Sequence, residues 1–406
     1  MGQKLFTKNF TFLVLGQASS LFGNYILRLA LSMYVLEISG SAAVFAGILS
    51  MAVVPSILLS PLGGILADRA NRRNVMVALD ALSGMFVLCA AVFWDRENAI
   101  AITYVLLVAL SVLGAFETPT VHACIPQMLS GDNITRGNAA VNQVASISYL
   151  IAPMLGGVFY AAVGIKPVMY ASVACFFATA LLECRIILNQ NGRMSHGKVF
   201  TIIKDDFFSS VRFLFRERTD IMKILLLAAL ARFFVMGVTL VGLPFLVREV
   251  LGLDAKFYGG AESALAVATI FGSAAAGALA GKLKSDRLDI PLCLIGACII
   301  PAGLFFLVPA GAMARYAALV ISFCGMQAAI SVFSIFAVSI IQQNTPDHMI
   351  GKVMAYTSAI TMCAQPAGQM AYGILFDRFR SDVSFALLPT GGVIFLIGLL
   401  ALRFLK

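Results

Sequence analysis

The chain has 406 residues, 60% of them hydrophobic and only 12% charged, with a formal net charge of +9. That is about half the charged fraction of an ordinary soluble domain, and a mean hydropathy of +0.93 excludes a water-soluble fold. The eight cysteines form no C-x-x-C pair and have no histidine at ligand spacing, so no metal site is expected.

Long uncharged runs without alternation predict spanning helices rather than barrel strands, which need only about 10 alternating residues. The first run extends from about residue 10 to 36, too long for a signal-peptide core, and is expected to remain as a spanning helix. Further runs lie near 42–67, 74–94, 99–124, 139–163 and 167–188. After a polar stretch, others follow near 223–247, 257–281, 290–309, 314–341, 353–376 and 383–404. The expected fold is all-α and polytopic, with twelve transmembrane helices in two pseudo-symmetric six-helix bundles. The expected domains are 1–188, a cytoplasmic linker at 189–222 and 223–406. Phe207, Phe208, Val211, Phe213, Leu214 and Phe215 give the linker an amphipathic character suited to the inner leaflet.

Twenty of the 29 Lys and Arg fall at the termini and in loops after even-numbered helices, against seven on the other side. The positive-inside rule therefore puts both termini in the cytoplasm. Lipid orientation accounts for the basic charge, so no nucleic-acid partner is expected. The halves also resemble each other: residues 31–47 align ungapped with those from Leu243, placing Glu37 on Glu249, Gly40 on Gly252, Phe45 on Phe257 and Gly47 on Gly259. Such a duplication places a transporter's binding site between the repeats, near the bilayer midplane.

The second run ends in GGILADRANRR, residues 63–73. Gly64, Asp68, Arg69, Arg72 and Arg73 there resemble the helix 2–3 loop of the major facilitator superfamily, G-x-x-x-D-[RK]-x-G-R-[RK]. Asn71 stands where the family prefers glycine, a mild departure because asparagine tolerates a left-handed turn. A weaker echo after helix 8 has Gly281 in place of the aspartate. The resemblance implies a cytoplasmic latch made by Asp68 and Arg69. Helix 5 carries SYLIAPMLGG, residues 148–157, which resembles the G-x-x-x-G-P-x-x-G-G signature of drug-exporting antiporters: Pro153, Gly156 and Gly157 remain, and Ser148 and Ala152 replace the first two glycines. Longer stretches are similar to the macrolide-efflux and siderophore-exporting branch.

Charges inside these runs demand a role, since one at the bilayer centre costs at least about 2.5–3.5 kcal/mol on insertion scales. Gln17, Ser20, Asn24, Arg28 and Ser32 share one face of helix 1. Asn142 and Tyr149 on helix 5, Arg232 on helix 7, Gln327 on helix 10, and Gln365 and Gln369 on helix 11 extend the polar inventory. These are the expected cavity residues. Glu117 and Glu262 are the expected proton carriers, because a poorly hydrated carboxylate can take a proton on one side and release it on the other. Asp80 and Glu183 are read as nearer the cytoplasmic surface and as structural pairs, and His122 as a helix-end anchor or proton relay.

The resulting expectation is a secondary transporter of the bacterial inner membrane, monomeric as the superfamily usually is. It would export small amphipathic compounds such as drugs, macrolides or siderophores by alternating access and proton antiport. Only a proton gradient would power it, without a cofactor. The alternatives are a facilitator or importer of a defined solute, a lipid flippase, and, less favoured, a non-transporting scaffold or receptor. No G-x-x-x-x-G-K-[ST] loop and no nucleophile with a positioned base are visible, so an enzyme is not expected.

Overall fold

The computed structural model describes residues 5–188, 219–279, 287–346 and 350–404, which contain twelve long helices and no strand. They are α1 (Lys8–Ser39), α2 (Ala42–Arg69), α3 (Arg72–Val92), α4 (Ala99–Met128), α5 (Asp132–Val163) and α6 (Ile165–Glu183), followed by α7 (Thr219–Val250), α8 (Ala255–Leu279), α9 (Asp289–Leu307), α10 (Ala312–Gln343), α11 (Ile350–Arg378) and α12 (Ser384–Phe404). Among the described residues, eleven of these helices contain stretches long and apolar enough to cross a membrane. The helix outside that set is α11, which carries Ser358, Thr361, Gln365 and Gln369.

Local chemistry sets the helix ends. Thr7 starts α1 by accepting the Phe10 amide, and Gly40 ends it at φ 56°, a left-handed turn that favours glycine. Pro244 interrupts α7, where wider π turns at Val238–Gly242 and Leu246–Val250 flank it. The helix α6 stops at Glu183, short of the expected 188.

The described contacts divide the chain into two compact units, Met1–Gly40 with Met51–His196 and Asp254–Ser263, and Ser41–Ser50 with Gly197–Leu253 and Ala264–Lys406. In the first, α1 packs on α5 and α6, and α3 on α4 and α6. In the second, α7 packs on α11 and α10, and α9 on α10 and α12. Most of these pairs recur one repeat later, as a duplicated unit requires. Two short segments group away from the half to which the expected domains assigned them. Residues 41–50, at the start of α2, belong with the second unit, and 254–263, at the start of α8, with the first. Most of the linker at 189–222, including Phe207, Phe208, Val211, Phe213, Leu214 and Phe215, lies outside the described residues, as do Gly281 and Lys282.

Candidate functional site

In the first unit the polar face of α1 divides into two groups. Toward the end of α1 nearer the N-terminus, Gln17, only 6% exposed, donates to Glu117 Oε1 at 3.4 Å. Ser20 donates to Asp80 Oδ1 at 2.9 Å. Thr179 of α6 donates to the Gly16 carbonyl at 3.0 Å. Further along α1, Arg28 Nε donates to Asn24 Oδ1 at 2.7 Å. The Tyr25 ring meets Tyr149 edge-on at 5.8 Å. Tyr149 is half exposed and lies within electrostatic reach of Glu262, whose Oε1 accepts from Tyr258 at 2.6 Å. Asn24 and Arg28 thus pair on α1, and Tyr149 and Glu262 lie together beside Tyr25, while Gln17 is buried in helix packing with the acids.

The second unit contains a cavity of about 190 Å³ between α7, α10 and α11. Met236, Ile330, Val338 and Ile341 supply much of its apolar wall, and Arg232 is the one charged residue among the described lining residues. The Arg232 guanidinium donates to Gln365 Oε1 at 3.1 Å, leaving its buried Nε without a partner among the described residues. Such a surface suits an apolar body with one acceptor or anionic group. Two other expected cavity residues are placed differently. Gln369 is 1% exposed and accepts from Ser50 at 3.3 Å, so it belongs to helix packing. Asn142 is exposed on α5, its carbonyl accepting from Ser146. Gln327 on α10 leaves its side-chain oxygen buried and, among the described residues, unpartnered.

Around the latch motif, Arg72 donates from Nε to the Ala67 carbonyl and from Nη1 to the Ala123 carbonyl, each at 2.7 Å. Arg73 donates to the Cys184 carbonyl. The arginines thus close helix C-termini, where cations are favoured. Asn71 has φ −68° and caps α3 by accepting the Asn74 amide. Its role is a helix cap, not the left-handed turn expected of it. The side chains of Asp68 and Arg69 lie outside the described residues, and Gly64 has open space beside it. In the helix 5 motif, Ser148 is fully buried. A Cβ on Gly156 would lie 3.2 Å from Ile26 Cα, and one on Gly157 would lie 2.7 Å from the Ala255 carbonyl. Those small residues bring α5 against α1 and against the start of α8. His122 is held by Asn138 at 3.2 Å.

Reading the sequence missed the association of Asp80 and Glu183 with Glu117. Asp80 lies within electrostatic reach of Glu117 and within hydrogen-bonding range of Glu183. From the neighbouring helix ends, Asp80, Gln17 and Glu117 are eight, nine and eleven residues in, roughly 12–17 Å at 1.5 Å per residue. Glu183, the last residue of α6, joins the same group. The signal present in the sequence was the pair Gln17 and Ser20 on one helix face, two donors needing buried acceptors.

A model of the Major Facilitator Superfamily matches residues 13–368. The chain belongs to the Major Facilitator Superfamily. It is a multi-pass membrane transporter. It is 22% identical over 382 residues to macrolide efflux protein A of Streptococcus pyogenes, covering 92% of this chain and 91% of that one. It is 23% identical over 373 residues to the multidrug efflux pump Tap of Mycolicibacterium fortuitum, covering 89% and 88%. Among solved structures, a mutant of the nucleoside transporter NupG superposes with a TM-score of 0.77 at 11% identity, covering 98% of this chain and 100% of that one. A bacterial homologue of the iron transporter ferroportin in an inward-facing state gives 0.73 at 15%, covering 98% of each. These superpositions establish the superfamily fold.

Proposed function

We propose that this superfamily member exports small amphipathic compounds across the bacterial cytoplasmic membrane by alternating access, exchanging them for protons, with both termini cytoplasmic. The observation that carries the export direction is similarity over about nine-tenths of both chains to proteins named for efflux. The cavity beside Arg232, largely apolar with a single cation among its described lining residues, supports the substrate class. Glu117, partly exposed and bonded to Gln17, is the proton carrier in this reading. Proton binding at Glu117 and substrate binding disfavour each other, so efflux is driven by protons entering and quickens as the outside becomes more acidic.

The test is efflux of a hydrophobic dye from cells expressing the protein. A protonophore abolishes it, and Glu117→Gln uncouples it from the pH gradient. Gradient-driven efflux unchanged in that variant would remove Glu117 from the scheme, and Arg28-dependent uptake in place of efflux would overturn the direction. Asp68→Asn is expected to cut efflux by breaking the latch implied by the family resemblance.

Arg232→Met tests the cavity separately. A hydrogen bond to a charged group contributes about 1.5–3 kcal/mol. The KM for dyes bearing an anionic group is therefore expected to rise about tenfold or more, while that for dyes without such a group changes little. Equal effects on both dye classes would remove Arg232 from recognition.

A further inference from the structure

Three carboxyl groups from three helices meet inside the first unit, and the donors that reach them are neutral. Glu183 and Asp80 are both fully buried. Among the described residues, neither oxygen of Glu183, nor Oδ2 of Asp80, has a hydrogen-bond partner. Glu183 lies against α1 at Gly16: a Cβ there would lie 3.7 Å from Glu183 Cγ and 4.0 Å from its Oε1, ordinary contact distances. Ser20 donates to Asp80 and lies close to Glu117, and Gln17 serves Glu117. Of the three acids, only Glu117 is partly exposed.

Beyond the cluster, toward the start of α1, lies a packed apolar layer including Phe10, Leu13, Met76, Val121 and Ile125. The Cys124 thiol belongs to that layer, within electrostatic reach of Glu183 and Arg72. Arg72 and Arg73 donate to the carbonyls of Ala67, Ala123 and Cys184. The side chains facing the carboxyls are Gln17 and Ser20 from α1, while Thr179 on α6 is turned to the Gly16 carbonyl.

Adjacent carboxylates in a medium of low dielectric repel strongly, and a buried anion without a partner is costly. Two facing carboxyls offer only acceptors until a proton arrives. Once one oxygen binds it, the new O–H donates to the opposite carboxylate and supplies the missing donor.

Building on the proton-antiport reading, we propose that Asp80, Glu117 and Glu183 form one proton-binding site enclosed in the first unit. Asp80 and Glu183 share a proton between facing oxygens, and Glu117 passes it to and from water. On uptake a hydronium gives one proton to the Glu117 carboxylate and becomes water; within the cluster a carboxylic acid gives it to a carboxylate and is left ionised; on release it returns to water as hydronium. The site binds protons, and Asp80 and Glu183 act in coupling without touching the exported compound.

The test uses full-length protein in liposomes, with an imposed pH gradient, an imposed sodium gradient, or neither. The wild type is expected to be accelerated severalfold by the pH gradient and not by the sodium gradient. Asp80→Asn, Glu183→Gln and Glu117→Gln should each bring that acceleration close to onefold, the first two while retaining dye binding. Difference infrared spectra of the wild type across a pH titration should show a protonated-carboxyl stretch that Asp80→Asn removes or shifts.

Wild-type pH profiles in both Asp80→Asn and Glu183→Gln, with an unaltered infrared band, would overturn the cluster while leaving antiport through Glu117 standing. Acceleration by sodium instead of protons would overturn the proton assignment. A wild type indifferent to every gradient would defeat the antiport reading, and the infrared band would then decide independently whether a proton is bound. Should Glu183→Gln fail to fold, Asp80→Asn and the wild-type spectra still decide.

Discussion

Asp377→Ala is expected to make the Ala42 and Ala43 amides exchange with solvent deuterium about 30-fold faster. A helix leaves its first four N–H groups without internal partners. In α2 all four are satisfied: Ala42 and Ala43 donate to Asp377 Oδ1 and Oδ2 at 2.7 and 3.0 Å, Val44 to Ser41 Oγ at 3.2 Å, and Phe45 to the Ser41 carbonyl at 3.2 Å. Ser41 Oγ in turn donates to Asp377 at 2.5 Å. Half of the capping of α2 thus comes from the far end of α11.

Losing a cap costs about 0.5–2 kcal/mol, and a carboxylate at a helix N-terminus adds up to about 2 in partly buried geometry. A combined loss of about 2 kcal/mol corresponds to roughly a 30-fold change in the local opening equilibrium. Asp377→Asn keeps an acceptor oxygen and should have a smaller effect. Exchange at residues 42 and 43 that is unchanged in Asp377→Ala would show that the contact does not hold α2. Because Gly373, one turn earlier on α11, packs against Ala42, Ala43 and Ala46, the same variant should also alter efflux by loosening this seam.

The second large effect is expected from a single methyl group. A Cβ on Gly368 would lie 2.1 Å from the Phe233 carbonyl oxygen, and one on Gly237 would lie 2.7 Å from the Gly368 carbonyl. The backbones of α7 and α11 touch there, and no side chain can yield. Gly368→Ala must separate the helices, and overpacking of this kind costs about 1–3 kcal/mol, more than the roughly 1 kcal/mol that alanine returns over glycine in a helix.

Gly392 on α12 has nothing within 4 Å, so Gly392→Ala should keep that gain. Thermal unfolding of the purified protein should therefore move down for Gly368→Ala and level or up for Gly392→Ala. Equal midpoints would contradict the close approach. Arg232 precedes Phe233 directly, so separating α7 from α11 should also pull Arg232 from Gln365 and weaken efflux.

Much of the fold was legible before any coordinates, because a spanning helix is announced by a local property, the length of an uncharged run. Expected starts and ends of most helices fell within a few residues of those observed, and the repeat at Glu37 and Glu249 was visible by alignment. The structure adds that each of these glutamates has a partner: Glu37 accepts from Tyr160 on α5 at 2.8 Å, and Glu249 pairs with Arg380, just past α11, at 2.8 Å.

The site was legible only in its ingredients. Run lengths cannot report how buried polar groups pair across helices, since that depends on rotation, depth and where each helix stops. Glu183 looked peripheral because it lies close to the end of its run, while its carboxyl is fully buried. Gln17 and Gln369 looked like cavity residues because a stripe shows which residues share a face but not what that face meets. The Asp377 cap joins residues 335 positions apart and had no local trace.

The sequence by itself determined a membrane chain of twelve helices, duplicated, with a few costly charges retained inside. Composition and periodicity are properties of neighbouring residues, and the bilayer imposes them segment by segment. Only the tertiary structure decided which charges meet, because the cost of burying a carboxyl depends on the groups that other helices carry to it.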